Sequence, residues 1–237
     1  MKWRIIHREL HTGPMNMGID EALAEMAAAE KSPPTIRFYS WNPPGISVGR
    51  FQRLREAVKT EKCSRMGIDY LRRMSGGGTA CHSSEIAYSI TAPGYVFPRY
   101  ADDAFMLVCT QVASALASLG IKAEYRPLDE IMAGGKKIGW SAFTFRNGAV
   151  IFQGSVFYGF DFASMAAATG TSPAKLKEAV TCVKDFSRAT ENDLEIALEK
   201  CFTKGKEWKR GVLAKEELER AEELSERYSG REWNFSI

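Results

Sequence analysis

The 237-residue sequence has no apolar run long enough to span a bilayer as a helix. Its N-terminal stretch, MKWRIIHRELHTGP, mixes charges through a short apolar run, which is typical of neither a signal peptide nor a membrane anchor. The formal net charge of +3 is too small to predict nucleic-acid binding by itself. We therefore expect a cytoplasmic protein that binds neither a membrane nor nucleic acid.

Cysteine and histidine are scarce. The five cysteines are odd in number and lack CxxC spacing, so they predict neither a disulfide framework nor a zinc site. The three histidines form no HExxH motif and are few for a metal centre. Cys81 and His82 are adjacent, but neighbours on an extended strand point to opposite faces and cannot form a dyad. We expect Cys81 to be a small buried apolar residue.

Two familiar catalytic motifs are incomplete. The segment GGKKIGW has glycines at P-loop spacing, Gly134 and Gly139, but continues with Trp140 where the motif needs lysine. The segment GWSAF begins like a nucleophile elbow but lacks the second glycine, and every histidine lies upstream of Ser141. The sequence therefore predicts neither a P-loop nor an α/β-hydrolase triad.

Hydrophobic periodicity predicts strands and helices in separate parts of the chain. TIRFYSW and TACHSSEIAYSITAP are predicted as strands, the second as one long strand, whereas LREAVKTEKCSRM and DDAFMLVCTQVASALASLG are predicted as helices. Turns at Gly134-Gly135 and Asn147-Gly148 predict hairpins, and the chain after the second hairpin is predicted as helices. We expect an α+β fold with mixed or antiparallel sheets flanked by helices, in one domain over residues 1–237.

The run Gly76-Gly77-Gly78 gives up side-chain packing. In return, its backbone can lay consecutive N–H groups against an anion. Arg72 and Arg73 precede the run on a strand, so at least one guanidinium group is expected on the loop side, where it suits a phosphate or carboxylate. The alternative is a glycine bulge between two strands with surface arginines.

Lys136 and Lys137 follow the first glycine turn on a predicted strand, so only one of them can enter a site. A lysine held on a rigid strand can stabilise negative charge that develops on a carbonyl or phosphoryl oxygen. If the lysine pair is considered without the other motifs, a solvent-exposed lysine on a hairpin is the simpler interpretation.

Four segments together resemble the lipoate–protein ligase family, which is related to biotin protein ligases and octanoyltransferases. They are IRFYSWNPPGISVGRFQ, with its Gly-x-x-Gln element, RRMSGGGTACH, EIMAGGKKIGWSA and REWNFSI. The resemblance extends over nearly the whole chain and implies a biotin/lipoate-ligase-like catalytic domain. No separate C-terminal accessory domain is expected, so an accessory subunit is a possible partner.

The resemblance implies that the protein activates lipoate with MgATP to lipoyl-AMP and transfers the lipoyl group to a lysine of an acceptor domain, of the H-protein or E2 type. Lys137 is the implied catalytic residue, and an apolar slot with candidate walls Val48, Tyr88 and Ile90 would receive the acyl tail. The implied adenylate-binding residues are Arg72, Arg73, Ser75, Gly76, Gly77, Gly78, Thr79 and His82. The residues implied around them are Gly49, Gln52, Glu130, Trp140, Ser141 and Ala142. No residue is assigned to Mg²⁺.

The sequence departs from the family pattern at three places. Ser83 stands where the family usually has Asp, and Asp129-Glu130 stands in place of an Asn-Asp pair. Trp140 replaces a common glycine, and a tryptophan there would fill part of the ligand slot or reshape it.

Two alternatives remain beside the ligase. An octanoyl or lipoyl transferase between carrier proteins is favoured by the HSSEIAYS strand, but the loop YRPLDEIMAGGKK lacks the nucleophilic cysteine of the cysteine-dependent branch. A non-catalytic lipoyl-binding relative is favoured by Trp140. We expect the ATP-dependent ligase.

Overall fold

A mixed eight-stranded sheet carries most of the core in the computed structural model, which describes residues 1–98 and 100–237. The strands along the chain are β1 (Trp3–His11), β2 (Thr35–Trp41), β3 (Gly45–Val48), β4 (Asp69–Arg72), β5 (Ala80–His82), β6 (Ser84–Pro93), β7 (Ala123–Arg126), β8 (Glu130–Ala133), β9 (Lys136–Arg146), β10 (Ala149–Gly159) and β11 (Trp208–Arg210). The large sheet has the order β11-β1-β2-β6-β10-β9-β8-β7, and a three-stranded sheet has the order β4-β3-β5.

Helices cover both faces of the large sheet. They are α1 (Gly13–Ala28), α2 (Leu54–Ala57), α3 (Thr60–Met66), α4 (Ala101–Ser118), α5 (Phe162–Thr169), α6 (Pro173–Ala179), α7 (Glu191–Thr203), α8 (Lys215–Ser229) and α9 (Arg231–Asn234), with a 3₁₀ turn at Val183–Asp185. No helix of the described residues has both the length and the apolar character to cross a membrane.

The main core lies between one face of the large sheet and helices α4 and α7. Val112 of α4 and Leu198 of α7 are fully buried there with Phe152 of β10. On the opposite face, α1 packs against α8 through Leu23 and Leu224. The small sheet lies on this second face. The glycine run, which joins β4 to β5, is therefore on this face as well.

The predicted α+β class with mixed sheets and flanking helices is confirmed. Both glycine turns are confirmed as well, since Gly134, Gly135, Asn147 and Gly148 all have positive φ angles. That backbone matches the twist of a two-residue hairpin. The single-domain assignment over residues 1–237 stays a prediction.

Three predicted elements are wrong. The long strand TACHSSEIAYSITAP is two strands in different sheets, because the chain leaves the small sheet at Ser83 and enters the large one. The helix LREAVKTEKCSRM is two short helices, since Val58 is extended and the N–H of Lys59 donates to the carbonyl of Ala168 at 2.7 Å. The C-terminal part also contains strand β11, which pairs with β1 through long-range contacts that local periodicity does not show.

Candidate functional site

The glycine-rich loop, residues 74–79, joins β4 to β5 and faces the turn that follows β3. A Cβ on Gly49 in that turn would lie less than 3.0 Å from the carbonyl oxygen of Gly77, so only glycine allows this approach. Gly77 itself has φ 92°, a conformation that other residues rarely adopt. Gly77 and Gly78 are exposed, so the outer side of the loop is open to a ligand.

Arg73 supports the loop from beneath. Its fully buried side chain donates from Nη2 to the carbonyl oxygens of Gly76 and Gly78, at 2.7 and 2.8 Å. Nη1 donates to the carbonyl and hydroxyl oxygens of Ser47, both at 3.2 Å. Burial lowers the pKa of Arg73 to about 10. One of the two arginines does reach the loop, but it binds the loop's carbonyl groups.

Arg72 has a different role from the predicted ligand contact. Its side chain donates to backbone carbonyls on the turn after β3 and on the C-terminal segment, because β4 is an edge strand that packs beside α9. The acceptors are Gly49, Arg50, Gln52, Trp233 and Asn234. The guanidinium group is fully buried, and each of its three nitrogens donates to at least one backbone carbonyl.

His82 is also corrected from a ligand contact to a buried link between the two sheets. Its ring stacks on Trp41 at 3.8 Å, and only 1% of the residue is exposed. Nε2 lies 2.9 Å from the hydroxyl of Ser47, and Nδ1 lies 2.6 Å from a carboxylate oxygen of Glu85. Both ring nitrogens are therefore occupied, and no side of the ring is open to a substrate.

Lys137 lies on the hairpin strand β9 beside Glu130 of β8. Its Nζ lies 3.3 Å from Oε1 of Glu130, and 27% of its side chain is exposed. Burial raises the pKa of Glu130, but the hydrogen bond from Arg126 and the charge of Lys137 outweigh burial and lower it overall. The neighbouring Lys136 instead donates to the carbonyl of Lys177 at 2.6 Å. The two lysines therefore have different partners, as the alternation of side chains along a strand predicts.

Asp129 joins Lys137's hairpin to the glycine-rich loop. Its carboxylate lies 3.5 Å from the position that a Cβ on Gly77 would take. Its backbone carbonyl accepts from the N–H of Ser141 at 2.9 Å, which holds it at the end of β8. A carboxylate, an ammonium group and an open backbone loop therefore meet in one region.

Trp140 fills space between the small and large sheets. It is 5% exposed and packs with Ala80, Ala142, Phe157 and Cys182. Its ring lies edge-on to His82, and the Arg73 guanidinium lies 5.1 Å from its centroid. Its Nε1 has no hydrogen-bond partner among the described residues. The tryptophan thus fills space beside the base of the loop, and its effect on a ligand slot stays a prediction.

The remaining predicted residues are divided between the two faces of the large sheet. Thr79 and the N–H of Gly49 both donate to the Gln52 side chain, at 3.4 and 3.0 Å, which closes the turn against the loop. Ser75 donates to Gln153 at 2.8 Å. Ser141 points the other way, with its hydroxyl 3.0 Å from that of Tyr88 on the α4 side.

The predicted walls of the acyl slot are wrong. Tyr88 and Ile90 lie in the main core beneath α4, and Val48 lies in the core of the small sheet. A small cavity with a mixed apolar and charged lining is found elsewhere, between α1 and β10 next to the loop residue Met74. It has a volume of about 30 Å³ and its apolar lining is Ala24, Ala28, Met74, Ala149 and Ile151.

A buried network around Asp20 was missed. The Asp20 carboxylate accepts from Ser89 at 2.6 Å, from Gln153 at 2.7 Å and from Arg37 at 3.0 Å. Because Gln153 also accepts from Ser75, the network joins α1 to the base of the loop. Asp20 lies in the middle of α1, and its partners come from β2, β6 and β10, so no local sequence pattern indicated this role.

The side chains of Arg72 and Arg73, which were expected to hold the acyl-adenylate, have other partners. Both guanidinium groups that were expected to contact phosphate are bound to backbone carbonyls, and Trp140 fills the adjoining space. Within residues 1–98 and 100–237, no group of three or more His, Cys, Asp or Glu side chains has the arrangement to hold a metal ion.

Comparison with known proteins corrects the predicted reaction. The chain is 28% identical to octanoyltransferase LipM from Clostridioides difficile (strain 630), and the alignment covers 98% of both chains. The prediction of an ATP-dependent lipoate–protein ligase is therefore wrong, because full-length relatives carry the name of a transferase.

Solved structures agree with the fold. Lipoate–protein ligase A bound with ATP superposes with a TM-score of 0.88 at 24% identity, over 99% of both chains. The bi-partite lipoate protein ligase of Thermoplasma acidophilum, described with its E2 lipoyl domain, gives 0.87 at 23% identity, over 99% of this chain and 96% of that one. The profile of the lipoyl protein ligase A/B catalytic domain matches residues 12–203. The chain therefore belongs to the lipoyl protein ligase A/B catalytic domain family.

Proposed function

We propose that this protein is an acyltransferase that moves an octanoyl group from a carrier-protein thioester to a lysine of a lipoyl-acceptor domain. The observation that carries the proposal is that Lys137 pairs with Glu130, whose neighbour Asp129 reaches the open glycine-rich loop. Glu130 holds the ammonium group at 3.3 Å, and the neighbouring Asp129 reaches the loop at Gly77. The full-length similarity to octanoyltransferases supports the choice of reaction.

Lys137 has the chemistry that acyl transfer requires. As an amine attacks a carbonyl carbon, the carbonyl oxygen becomes negative, and a fixed ammonium donor stabilises that charge. Part of the Lys137 side chain remains open to solvent, so the donor is accessible. A thioester is already activated toward an amine, so the remaining work is to position the two reactants. The proposed reaction therefore does not use MgATP.

The cavity beside Met74 is the proposed entry for the acyl tail. The apolar part of its lining suits a hydrocarbon chain, Glu21, Glu25 and Arg146 line the rest, and the cavity begins next to the glycine-rich loop. Its volume of about 30 Å³ is too small for an octanoyl chain. Met74 is partly exposed and has a flexible, unbranched side chain, so its rotation is the proposed way to enlarge the cavity.

A non-catalytic lipoyl-binding protein is the second candidate. It is favoured by Trp140, which fills the slot beside the loop. In that case the protein would bind an acylated domain without turning it over.

The test uses the purified chain with an octanoyl thioester of an acyl carrier and a separate lipoyl-acceptor domain. Mass spectrometry of the acceptor measures acylation, with and without ATP. Octanoylated acceptor in the absence of ATP, lost in Lys137→Ala and retained in Lys136→Ala, is the expected result. Acylation only from free acid and ATP contradicts the proposal. Binding of the acylated domain without any transfer supports the second candidate.

A further inference from the structure

Four arginines stack on two aromatic rings of the C-terminal segment, residues 231–237. The Trp233 ring has two guanidinium groups 4.2 and 4.6 Å from its centroid, and the Phe235 ring has two guanidinium groups at 5.2 Å. These arginines come from the turn after β3, from α2, from α8 and from α9, so only the tertiary structure brings them together. We call them the arginine cluster: Arg50, Arg55, Arg227 and Arg231.

The cluster carries more positive charge than the carboxylates around it balance. Among the described residues, Arg227 is its only member in an ion pair, which it forms with Glu21. The side chains of the other three members have neither an ion pair nor a hydrogen bond with residues 1–98 and 100–237. Burial lowers the pKa of the neighbouring Arg72, and the charge of Arg50 lowers it further. Positive groups that are held together without a counter-charge favour a bound anion.

Arg50 connects the cluster to the glycine-rich loop. Its backbone N–H donates to the carbonyl of Ser75 at 2.9 Å, and it follows Gly49, the residue that lies against Gly77. The Nη1 atom of Arg50 is buried and has no hydrogen-bond partner in the described part of the chain, although the residue as a whole is partly exposed. A buried donor without an acceptor is costly, and the stacking on Trp233 fixes the guanidinium group without supplying an acceptor. Arg50 is therefore a preorganised donor that lacks its acceptor.

We propose that the arginine cluster is a binding site for a phosphate group, with Arg50 as its main donor. A phosphate group has several acceptor oxygens and up to two negative charges, so it suits a set of unpaired guanidinium groups better than a single carboxylate does. Because the rings already hold the guanidinium planes, little side-chain freedom is lost when the anion binds.

Two kinds of ligand carry this chemistry. One is a free phosphate compound, which is independent of the proposed acyl transfer. The other is a phosphate ester on the arm that bears the donor thioester, and this version rests on the proposed transferase function. The turn that carries Arg50 contacts the glycine-rich loop, so a phosphate bound there would lie on the same side of the molecule as the loop.

The first arm of the test measures binding of inorganic phosphate to the full chain by isothermal titration calorimetry, at constant ionic strength in sodium chloride. Saturable binding is expected. Arg50→Ala is expected to raise Kd about 10- to 100-fold, because it removes a charge-assisted donor. Arg50→Lys keeps the charge but lacks the planar fork, so it should recover only part of the affinity. No saturable binding to the unchanged protein would overturn the inference.

Two further variants separate binding from folding. Arg53→Ala is the matched control and should leave Kd unchanged, because Arg53 lies on the same turn but is exposed and paired with Glu56. Arg55→Gln removes an exposed member of the cluster and should raise Kd about two- to fivefold at unchanged thermal stability. A cluster that only holds the C-terminal segment would give a lower melting temperature and the same phosphate Kd in Arg50→Ala, which would overturn the inference.

The second arm distinguishes the two kinds of ligand. Acyl transfer is measured with the octanoyl thioesters of pantetheine and of phosphopantetheine, which differ by one phosphate group. A lower KM for the phosphorylated donor at the same kcat, with the difference lost in Arg50→Ala, supports the phosphate of the donor arm as the ligand. Equal KM values, with phosphate binding intact in the first arm, support a free phosphate compound. Failure of transfer from both donors would count against the transferase function, while the titration still decides whether the phosphate site exists.

Discussion

Gly49 lies so close to Gly77 that a side chain on Gly49 would collide with the carbonyl oxygen of Gly77. The contact connects the turn after β3 to the glycine-rich loop and sets the position of the loop. It explains the Gly-x-x-Gln element physically, because Gln52 closes the same turn by accepting from the N–H of Gly49 at 3.0 Å.

Gly49→Ala is expected to destabilise the protein by about 1–3 kcal/mol, since the added methyl group must displace backbone. Gly78→Ala is the matched variant, because a Cβ there meets nothing within 4 Å and its φ is not positive. We expect Gly78→Ala to leave the urea midpoint unchanged while it lowers acyl transfer, since the loop backbone must approach the ligand. Equal stability of the two variants would contradict the contact between Gly49 and Gly77.

Lys137→Ala is expected to lower acyl transfer by about 100- to 1000-fold, the usual effect of removing an oxyanion donor. Circular dichroism should be unchanged, because the side chain is part-exposed and contributes little to a core. Lys136→Ala is the control and is expected to be nearly silent in the same transfer assay, since Lys136 binds only the carbonyl of Lys177. Equal effects of both changes would refute the assignment of the inward lysine.

Trp140→Gly is expected to cost about 3–5 kcal/mol of unfolding free energy, as large-to-small core changes do. The same change opens the slot beside the loop, so a lipoyl donor should gain relative to an octanoyl donor in competition assays. Trp208→Ala is the control, because it removes a tryptophan from an exposed position on β11, away from the loop. Unaltered stability and donor preference in Trp140→Gly would show that the tryptophan does not fill the slot.

Glu217 is predicted to stabilise the protein in a pH-dependent way. It forms a buried two-bond pair with Arg4, at 2.7 and 2.8 Å. Burial raises the pKa of Glu217, but hydrogen bonds from Arg4, Ser32 and the Ala214 N–H outweigh it, so the pKa in the folded protein lies below 4.5. A carboxyl group with a lowered folded-state pKa stabilises above its unfolded value, and the contribution disappears as pH falls through the folded value.

Glu217→Gln should therefore cost about 3–5 kcal/mol at pH 7, because it leaves Arg4 buried without its partner. The difference in melting temperature from the unchanged protein should shrink as the pH falls below 4.5. Glu216→Gln, at the exposed neighbouring position, is the control. A difference that stays constant from pH 7 to acid would contradict this account.

Features set by local geometry were predictable from the sequence. The Asn147-Gly148 turn follows from the backbone angles that these residues tolerate, and the divergence of Lys136 and Lys137 follows from the alternation of side chains on a strand. The glycine run and the lysine hairpin also identified the family, because both motifs are contiguous in the chain.

The roles of the buried charged side chains were decided only by long-range contacts. Arg72 was predicted to hold a ligand, but its partners Trp233 and Asn234 lie 161 and 162 residues away. His82 lost its predicted role because the chain changes sheets at Ser83, which brings Glu85 to its ring. The directions of such side chains depend on which helices and strands pack together. A charged side chain that is buried needs a polar partner, and the packing of these elements decides which partner is near.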